Sequence, residues 1–380
     1  MDPKQTSKPS KNGFPHFMLK EIYEQPEAVR QTIEACVNSA GHIALPACRI
    51  SDDDVKKLRK IEIAASGTSR HAGLAGEFMI ERMTCIPVEV DFASQYCYRD
   101  PIVEPGELAV FISQSGTTVD TVAALHVARD KGSKTLAICN VADTPLTRDA
   151  DARLLTYAGI ETSIAATKSF TTQLTALFLL AAHIARVRGS SDAALDAALR
   201  LVRKLPDEIE RALNQNDRCL ALARKFSQYE SFLFLGRDID YPIALEGALK
   251  LKEVSYIHAE GYPTGEMKHG PSAMIDETVP VVVLAMRDQS NPASRLRFEK
   301  TLSNIRELSE RGTPVIAVVS EGDRETITIT PHVIEVPDVP VLLQPIVEVV
   351  PLQLFAYHVA VLKGRDVDAP RHLSKSVVVE

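Results

Sequence analysis

The chain repeats one strand–helix order twice. From Lys60 the apolar runs IEIAA (61–65), PVEVDFA (87–93), LAVFIS (108–113), TLAICN (135–140) and RLLTYA (153–158) alternate with the helical stretches GLAGEFMIERM, VDTVAALHVARDKG and ATKSFTTQLTALFLLAAHIARVRG. The order then recurs. FLFLGR (232–237) precedes a helical segment at 242–258, VPVVVLA (279–285) answers LAVFIS, and PVIAVV follows the helix ASRLRFEKTLSNIRELSERG. HVIEVP answers RLLTYA, and PIVEVVPLQLFAYHVAVLKG answers the long helix that ends at Gly189. Short apolar strands separated by amphipathic helices build βαβ units on a parallel sheet. The expected fold is therefore α/β: two tandem doubly wound parallel-sheet domains of flavodoxin-like type, with flanking helices and a C-terminal tail. The expected divisions are a disordered arm at 1–16, a first domain at 17–195 that includes two N-terminal helices, a second domain at 196–364, and a tail at 365–380.

Composition narrows the function classes. Lys+Arg number 43 against Asp+Glu 50, a net charge of -7. No general nucleic-acid surface is expected from that balance, although a local basic pocket for an anionic substrate remains possible. The longest apolar run, Leu174 to Ala182, is too short to span a bilayer and is followed by His183 and Arg186. The opening MDPKQTSKPSKNG has no apolar signal region. Six cysteines (Cys36, Cys48, Cys85, Cys97, Cys139, Cys219) form no CxxC, and the histidines form no HExxH. Reduced thiols, a cytoplasmic setting, no metal and no membrane are expected.

Five segments carry candidate chemistry. Ser113, Gln114, Ser115, Thr117 and Thr118 surround Gly116 where a strand meets a helix. Hydroxyls, a permissive glycine and free helix N–H groups make an anion cradle. No lysine makes it a Walker A loop and no GxGxxG suggests a dinucleotide, so a phosphate monoester fits best. The same residues could serve only as helix caps. Ser66-Gly67-Thr68-Ser69 holds the equivalent place one strand earlier, and two polar loops at one sheet edge favour the anion site. On the helix after Gly236, Glu246, Lys250 and Glu253 share one face by their i, i+4, i+7 spacing. They read either as a solvated salt-bridge ladder or as a general base beside a lysine. The segment 259–272, AEGYPTGEMKHGPS, reads as a long polar loop that includes His269. Lys375, in the tail, could form an imine only if the tail folds back over the site.

ISQSGTTVDT, YPIALEGALKLKEVSYIHAEGYPTGEMKHGP and DAPRHLSKSVVVE resemble the sugar isomerase (SIS) family, and within it the isomerase half of the glucosamine-6-phosphate synthases. The resemblance runs from about Phe17 to Glu380. It implies two SIS domains, a homodimer with a shared active site, a hexose or hexosamine 6-phosphate ligand, ammonia as co-substrate, and no cofactor. Carried over, Ser113, Gln114, Ser115 and Thr118, with Ser69, would bind the phosphate, and Thr68, Ile164, Ala166, Glu246 and Ser374 would line the sugar. Glu253 would move a proton between C1 and C2, and Lys375 would form an imine with the open-chain ketose. His269, from the neighbouring subunit, would assist ring opening, while Lys250 and Glu246 would support the catalytic helix. Thr117 stands where the family usually has Glu, Ala166 where it has Ser, and Ser66 where it has Cys. The opening Met1-Asp2-Pro3 carries no cysteine as second residue, so ammonia is expected from solution or from a separate glutaminase. The implied activity interconverts fructose 6-phosphate plus ammonia with glucosamine 6-phosphate, in the synthase or the deaminase direction. The alternatives are an isomerase or deglycase for another aminated sugar phosphate, and a sugar-phosphate sensor without turnover.

Overall fold

The computed structural model describes residues 9–38, 42–45 and 48–376. Strands β1 (Lys60–Ala65), β2 (Val88–Phe92), β3 (Glu107–Ser113), β4 (Lys134–Cys139) and β5 (Ala152–Leu155) form one sheet in the order β2-β1-β3-β4-β5. Strands β6 (Ser231–Gly236), β7 (His258–Pro263), β8 (Val281–Ala285), β9 (Val315–Ser320) and β10 (Val333–Val336) form the other, in the order β10-β9-β8-β6-β7. Counted within its own unit, each sheet reads 2-1-3-4-5, and every pairing is parallel. This is the doubly wound order expected from the repeat, and its reversal point lies beside the first strand of each unit.

The N-terminal helices are α1 (Phe17–Tyr23) and α2 (Gln25–Ala35). The first unit adds α3 (Gly67–Thr84), α4 (Val119–Asp130) and α5 (Lys168–Val187). Helices α6 (Asp192–Val202), α7 (Leu205–Leu213) and α8 (Asn216–Phe226) connect the units, and the 195/196 boundary read from the sequence falls inside α6. The second unit carries α9 (Tyr241–Ser255), α10 (Pro292–Glu310) and α11 (Gln344–Leu362). Helix α5 is long and apolar enough to cross a membrane, as is the segment Val341–Leu362, but each is 89% buried in the protein. Both are core helices. Helix α3 packs on α5, α9 packs on α11, and α3 meets α9 across the junction, so one apolar core runs through both units. Each fully buried Leu, Ile or Phe in it contributes about 1.5–3 kcal/mol. Glycines set two of these distances: a Cβ on Gly76 would lie 2.9 Å from Leu177, and one on Gly247 2.8 Å from Leu352.

Two expectations are corrected. The segment 259–272 is not wholly loop, because His258–Pro263 forms the edge strand β7 before the turns that end at His269. HAEGYP lacks apolar alternation, and packing rather than propensity makes it a strand: a Cβ on Gly261 would meet Leu245 Cα at 2.8 Å. That close approach lays β7 against α9. Helix α9 itself stops at Ser255, because Tyr256 turns left-handed with φ 65°.

Of the expected arm, residues 1–8 lie outside the described residues. Residues 9–16 run as turns onto the body, where His16 Nδ1 meets the Tyr357 hydroxyl at 2.8 Å. The tail caps α1: Asp368 accepts the backbone N–H groups of Phe17 at 2.9 Å and Met18 at 2.8 Å.

Candidate active site

At the end of β3 the chain turns through Gly116, with φ 69°. A Cβ there would lie 2.1 Å from Thr144 Oγ1, so no other residue fits. Gly116 N–H donates to Ser113 Oγ at 3.0 Å, and Ser113 Oγ lies 3.2 Å from Thr118 Oγ1. Ser115 Oγ accepts from both the N–H (3.2 Å) and the hydroxyl (3.0 Å) of Thr117. Thr118 occupies the N-cap of α4, yet its side chain takes no helix N–H. The capping alternative therefore fails here, and the N-terminus of α4 stays open to an anion. The equivalent turn in the second unit is closed. There Asn291 Oδ1 accepts from Ala293 N (3.0 Å) and Ser294 N (3.3 Å), and Asp288 adds a carboxylate. Duplication has left one open cradle and one sealed one.

The first loop, at the end of the neighbouring strand β1, bonds to α5 and to the second unit. Ser69 Oγ accepts from Gln173 Nε2 at 3.0 Å. Thr68 Oγ1 donates to Glu246 Oε1 at 3.0 Å and accepts from Lys250 Nζ at 3.1 Å. Lys250 Nζ also lies 3.3 Å from Glu246 Oε1 and 2.6 Å from Glu253 Oε2. Glu246 and Lys250 are fully buried, so these residues are no solvated ladder. Burial alone would push the Glu246 carboxyl up, but Lys250, His71 and Thr68 outweigh it and hold it below the ordinary range. Burial likewise opposes the Lys250 charge, and the two glutamates overcome it, holding the ammonium above its ordinary value. Glu253 is the partly open end, with 21% of its side chain exposed.

Lys375 forms a third node. Its Nζ contacts Glu161 Oε2 at 2.6 Å and the Ser163 carbonyl at 2.7 Å. Glu161 is held by Thr167 N–H (2.9 Å), Ser169 N–H (3.1 Å) and the Ser169 hydroxyl (2.8 Å). Burial raises its carboxyl, and Lys375 and these donors bring it below the ordinary range. Ser169 and Gln173 are one turn apart on α5. Helix α5 thus carries Ser169 toward the Lys375–Glu161 pair and Gln173 toward Ser69. Beside it, Glu21 accepts from the backbone of Ser163 at 3.2 Å, and burial, then Glu161, pushes its carboxyl up to about 7.

Of the residues singled out from sequence, Thr68, Glu246, Lys250 and Glu253 form one bonded cluster, Ser69 bonds instead to Gln173, and Ser113, Ser115 and Thr118 form the cradle. Ile164 and Ala166 are half-buried on the loop that carries Glu161, and Ile164 N–H donates to the Asp368 carbonyl at 3.1 Å. Gln114 is half-buried with its side chain unbonded among the described residues, and Ser374 Oγ donates to the Ser376 carbonyl at 3.2 Å. His269 is exposed at the end of its turn and joins none of these clusters within its own chain. Sequence reasoning missed Glu21, His71, Glu161 and Gln173. Only the polar tract around Glu161, GIETSIAATK, offered a signal. Among the described residues, no three His, Cys, Asp or Glu side chains are grouped to hold a metal ion.

Comparison with known proteins agrees with this geometry. The SIS domain family matches residues 55–183 and 225–363, one stretch on each sheet. The glutamine–fructose-6-phosphate aminotransferase (isomerizing) of Chlorobaculum tepidum is 47% identical over 371 residues, which cover 97% of this chain and 59% of that protein. Its namesake in Thermus thermophilus is 47% identical over 374 residues, 97% of this chain and 60% of its own. The chain thus spans about three fifths of the length of these curated relatives. The C-terminal domain of glucosamine-fructose-6-phosphate aminotransferase from Francisella tularensis superposes with a TM-score of 0.90 at 39% identity, over 95% of this chain and all of that one. A glucosamine-6-phosphate deaminase from Thermotoga maritima superposes at 0.71 with 25% identity, over 96% of this chain and all of that one. With a family match on both sheets, the chain belongs to the SIS domain family.

Proposed function

We propose that this chain interconverts fructose 6-phosphate plus ammonia with glucosamine 6-phosphate. One observation carries the proposal: Lys375 is bonded through Glu161 to Ser169 of α5, Gln173 one turn further along α5 is bonded to Ser69, and Ser69 is the chain neighbour of Thr68 in the cluster that ends at Glu253, so the amine and the carboxylate belong to one polar region. A sensor needs the cradle alone. An amine able to form an imine, set together with a carboxylate able to move a proton, suits chemistry at adjacent carbons.

In the forward direction the cradle binds the phosphate and the ketose opens. Lys375, having shed a proton, adds to the C2 carbonyl, and water leaves as the imine forms. Ammonia adds to C2 and the lysine amine leaves, so nitrogen replaces the carbonyl oxygen. Glu253 then takes a proton from C1 and delivers one to C2, which yields the amino aldose. Holding the reactants beside a positioned base supplies much of the acceleration. In reverse the same steps release ammonia, and the ammonia concentration sets the direction. The names of the relatives support this substrate pair.

The test gives purified protein fructose 6-phosphate with and without ammonium, and glucosamine 6-phosphate alone, with products read by mass spectrometry. Glucosamine 6-phosphate formed only with ammonium, or ammonia and fructose 6-phosphate in reverse, is the expected result. No conversion in either direction overturns the proposal. Turnover of a different aminated sugar phosphate in a substrate panel would then point to the second reading, which Ala166 and Thr117 favour, since both alter the polar lining of the sugar site.

A further inference from the structure

Glu246 is a buried carboxylate with its charge divided between two neighbours. Its Oε1 takes the Thr68 hydroxyl and faces Lys250, while its Oε2 takes His71 Nδ1 at 2.7 Å. An ionised carboxylate only accepts, so His71 Nδ1 carries the hydrogen. Lys250 Nζ has three hydrogens and three partners: Thr68 at 3.1 Å, Glu246 at 3.3 Å and Glu253 at 2.6 Å. The lysine therefore leans toward Glu253. It can do so because His71 has already satisfied the far oxygen of Glu246.

We propose that His71 is a positioning residue for proton transfer, which by holding Glu246 leaves Lys250 to Glu253 and so fixes where that base points. This rests on Glu253 being the base. Take the imidazole donor away and Glu246 Oε2 is a buried, unpaired anionic oxygen, a costly state. The nearest movable donor is Lys250. Drawn toward Glu246, it leaves Glu253 Oε2, and the base loses the bond that aims it. The charged groups facing Glu246 are Lys250 from its own helix α9 and His71 from α3. Those facing Lys250 are Glu246 and Glu253.

The experiment compares the full chain with its H71A, H71F and H71N variants on fructose 6-phosphate and on glucosamine 6-phosphate in D2O. It follows deuterium entry at C1 or C2 by mass spectrometry, and kcat and KM from pH 5 to 9. H71A is expected to lower kcat about 10–100-fold and to change KM less than twofold. H71F fills the space without an N–H and should match H71A even if H71A folds poorly. H71N places an amide N–H at the same oxygen and should restore the rate. An H71F with wild-type kcat, or an H71N no better than H71F, overturns the inference. E253Q is run alongside. If E253Q keeps full deuterium exchange, or if the wild type exchanges neither sugar phosphate, the proposed function falls first.

Discussion

Lys375 Nζ lies 2.6 Å from Glu161 Oε2, although 214 residues separate the two in sequence. That pair fixes the tail onto the first unit and brings a second amine to the site, whose other amine, Lys250, is buried between Glu246 and Glu253. K375R keeps the ion pair and hence the tail, but a guanidinium does not form an imine. K375R is therefore expected to melt within about 2 °C of the wild type and to lose at least about 1,000-fold in kcat. Cyanoborohydride with fructose 6-phosphate should add the reduced sugar to the wild-type chain and not to K375R. A wild-type protein that traps no sugar would remove the imine step.

The geometry gives Thr117 a task. Both lone pairs of Ser115 Oγ are occupied by Thr117, so the Ser115 hydrogen is left to donate outward. T117V removes one of those bonds and frees the hydroxyl to turn. The expected result is a KM for the sugar phosphate raised about 5–20-fold with kcat little changed, and T117S should restore it. Calorimetry with inorganic phosphate checks the same point without turnover. Equal phosphate affinity in T117V and wild type would count against the cradle as described.

Much of the fold could be read in the sequence. The doubled order of apolar runs located nine of the ten strands, because parallel strands buried on both faces are apolar throughout. Strand β7 escaped, since HAEGYP is an edge segment held by Gly261 against Leu245 rather than by its own propensity. The face bearing Glu246, Lys250 and Glu253 followed from helical spacing. Burial, which turned a surface ladder into a charged core cluster, did not. Lys375 stood out only through resemblance, because local pattern cannot show that a tail returns to a loop two hundred residues away. Glu21 and His71 were illegible for the same reason, and Glu161 showed only as part of a polar tract: each is defined by a partner on another element.

Glu21 makes stability depend on pH in a definite sense. Burial, then Glu161, raises its carboxyl to about 7 from an ordinary 4.5. Between those values the folded chain holds a proton that the unfolded chain has lost, so stability from this group is complete below pH 4.5 and declines as pH rises toward 7. E21Q keeps an oxygen for the Ser163 N–H and removes the ionisation. It should melt like the wild type near pH 4 and be more stable above pH 7, by about 1–3 kcal/mol. Paired melts at pH 4, 6 and 8 decide it, and a gap that does not widen with pH would place the cost elsewhere.

His269 points the remaining prediction at assembly. It is exposed and joins no cluster of its own chain, whereas Glu253 sits in the site of its own chain. If His269 serves a second copy, each site takes Glu253 from one subunit and His269 from the other. Mixing inactive E253Q with inactive H269A then builds heterodimers in which one site holds both native residues. Unfolding and refolding an equimolar mixture should recover about one quarter of wild-type activity, since half the dimers are mixed and half of their sites are intact. Each variant refolded alone should stay inactive. A mixture that recovers nothing, while sedimentation shows that the two variants exchange partners, would place His269 in the site of its own subunit or outside the reaction.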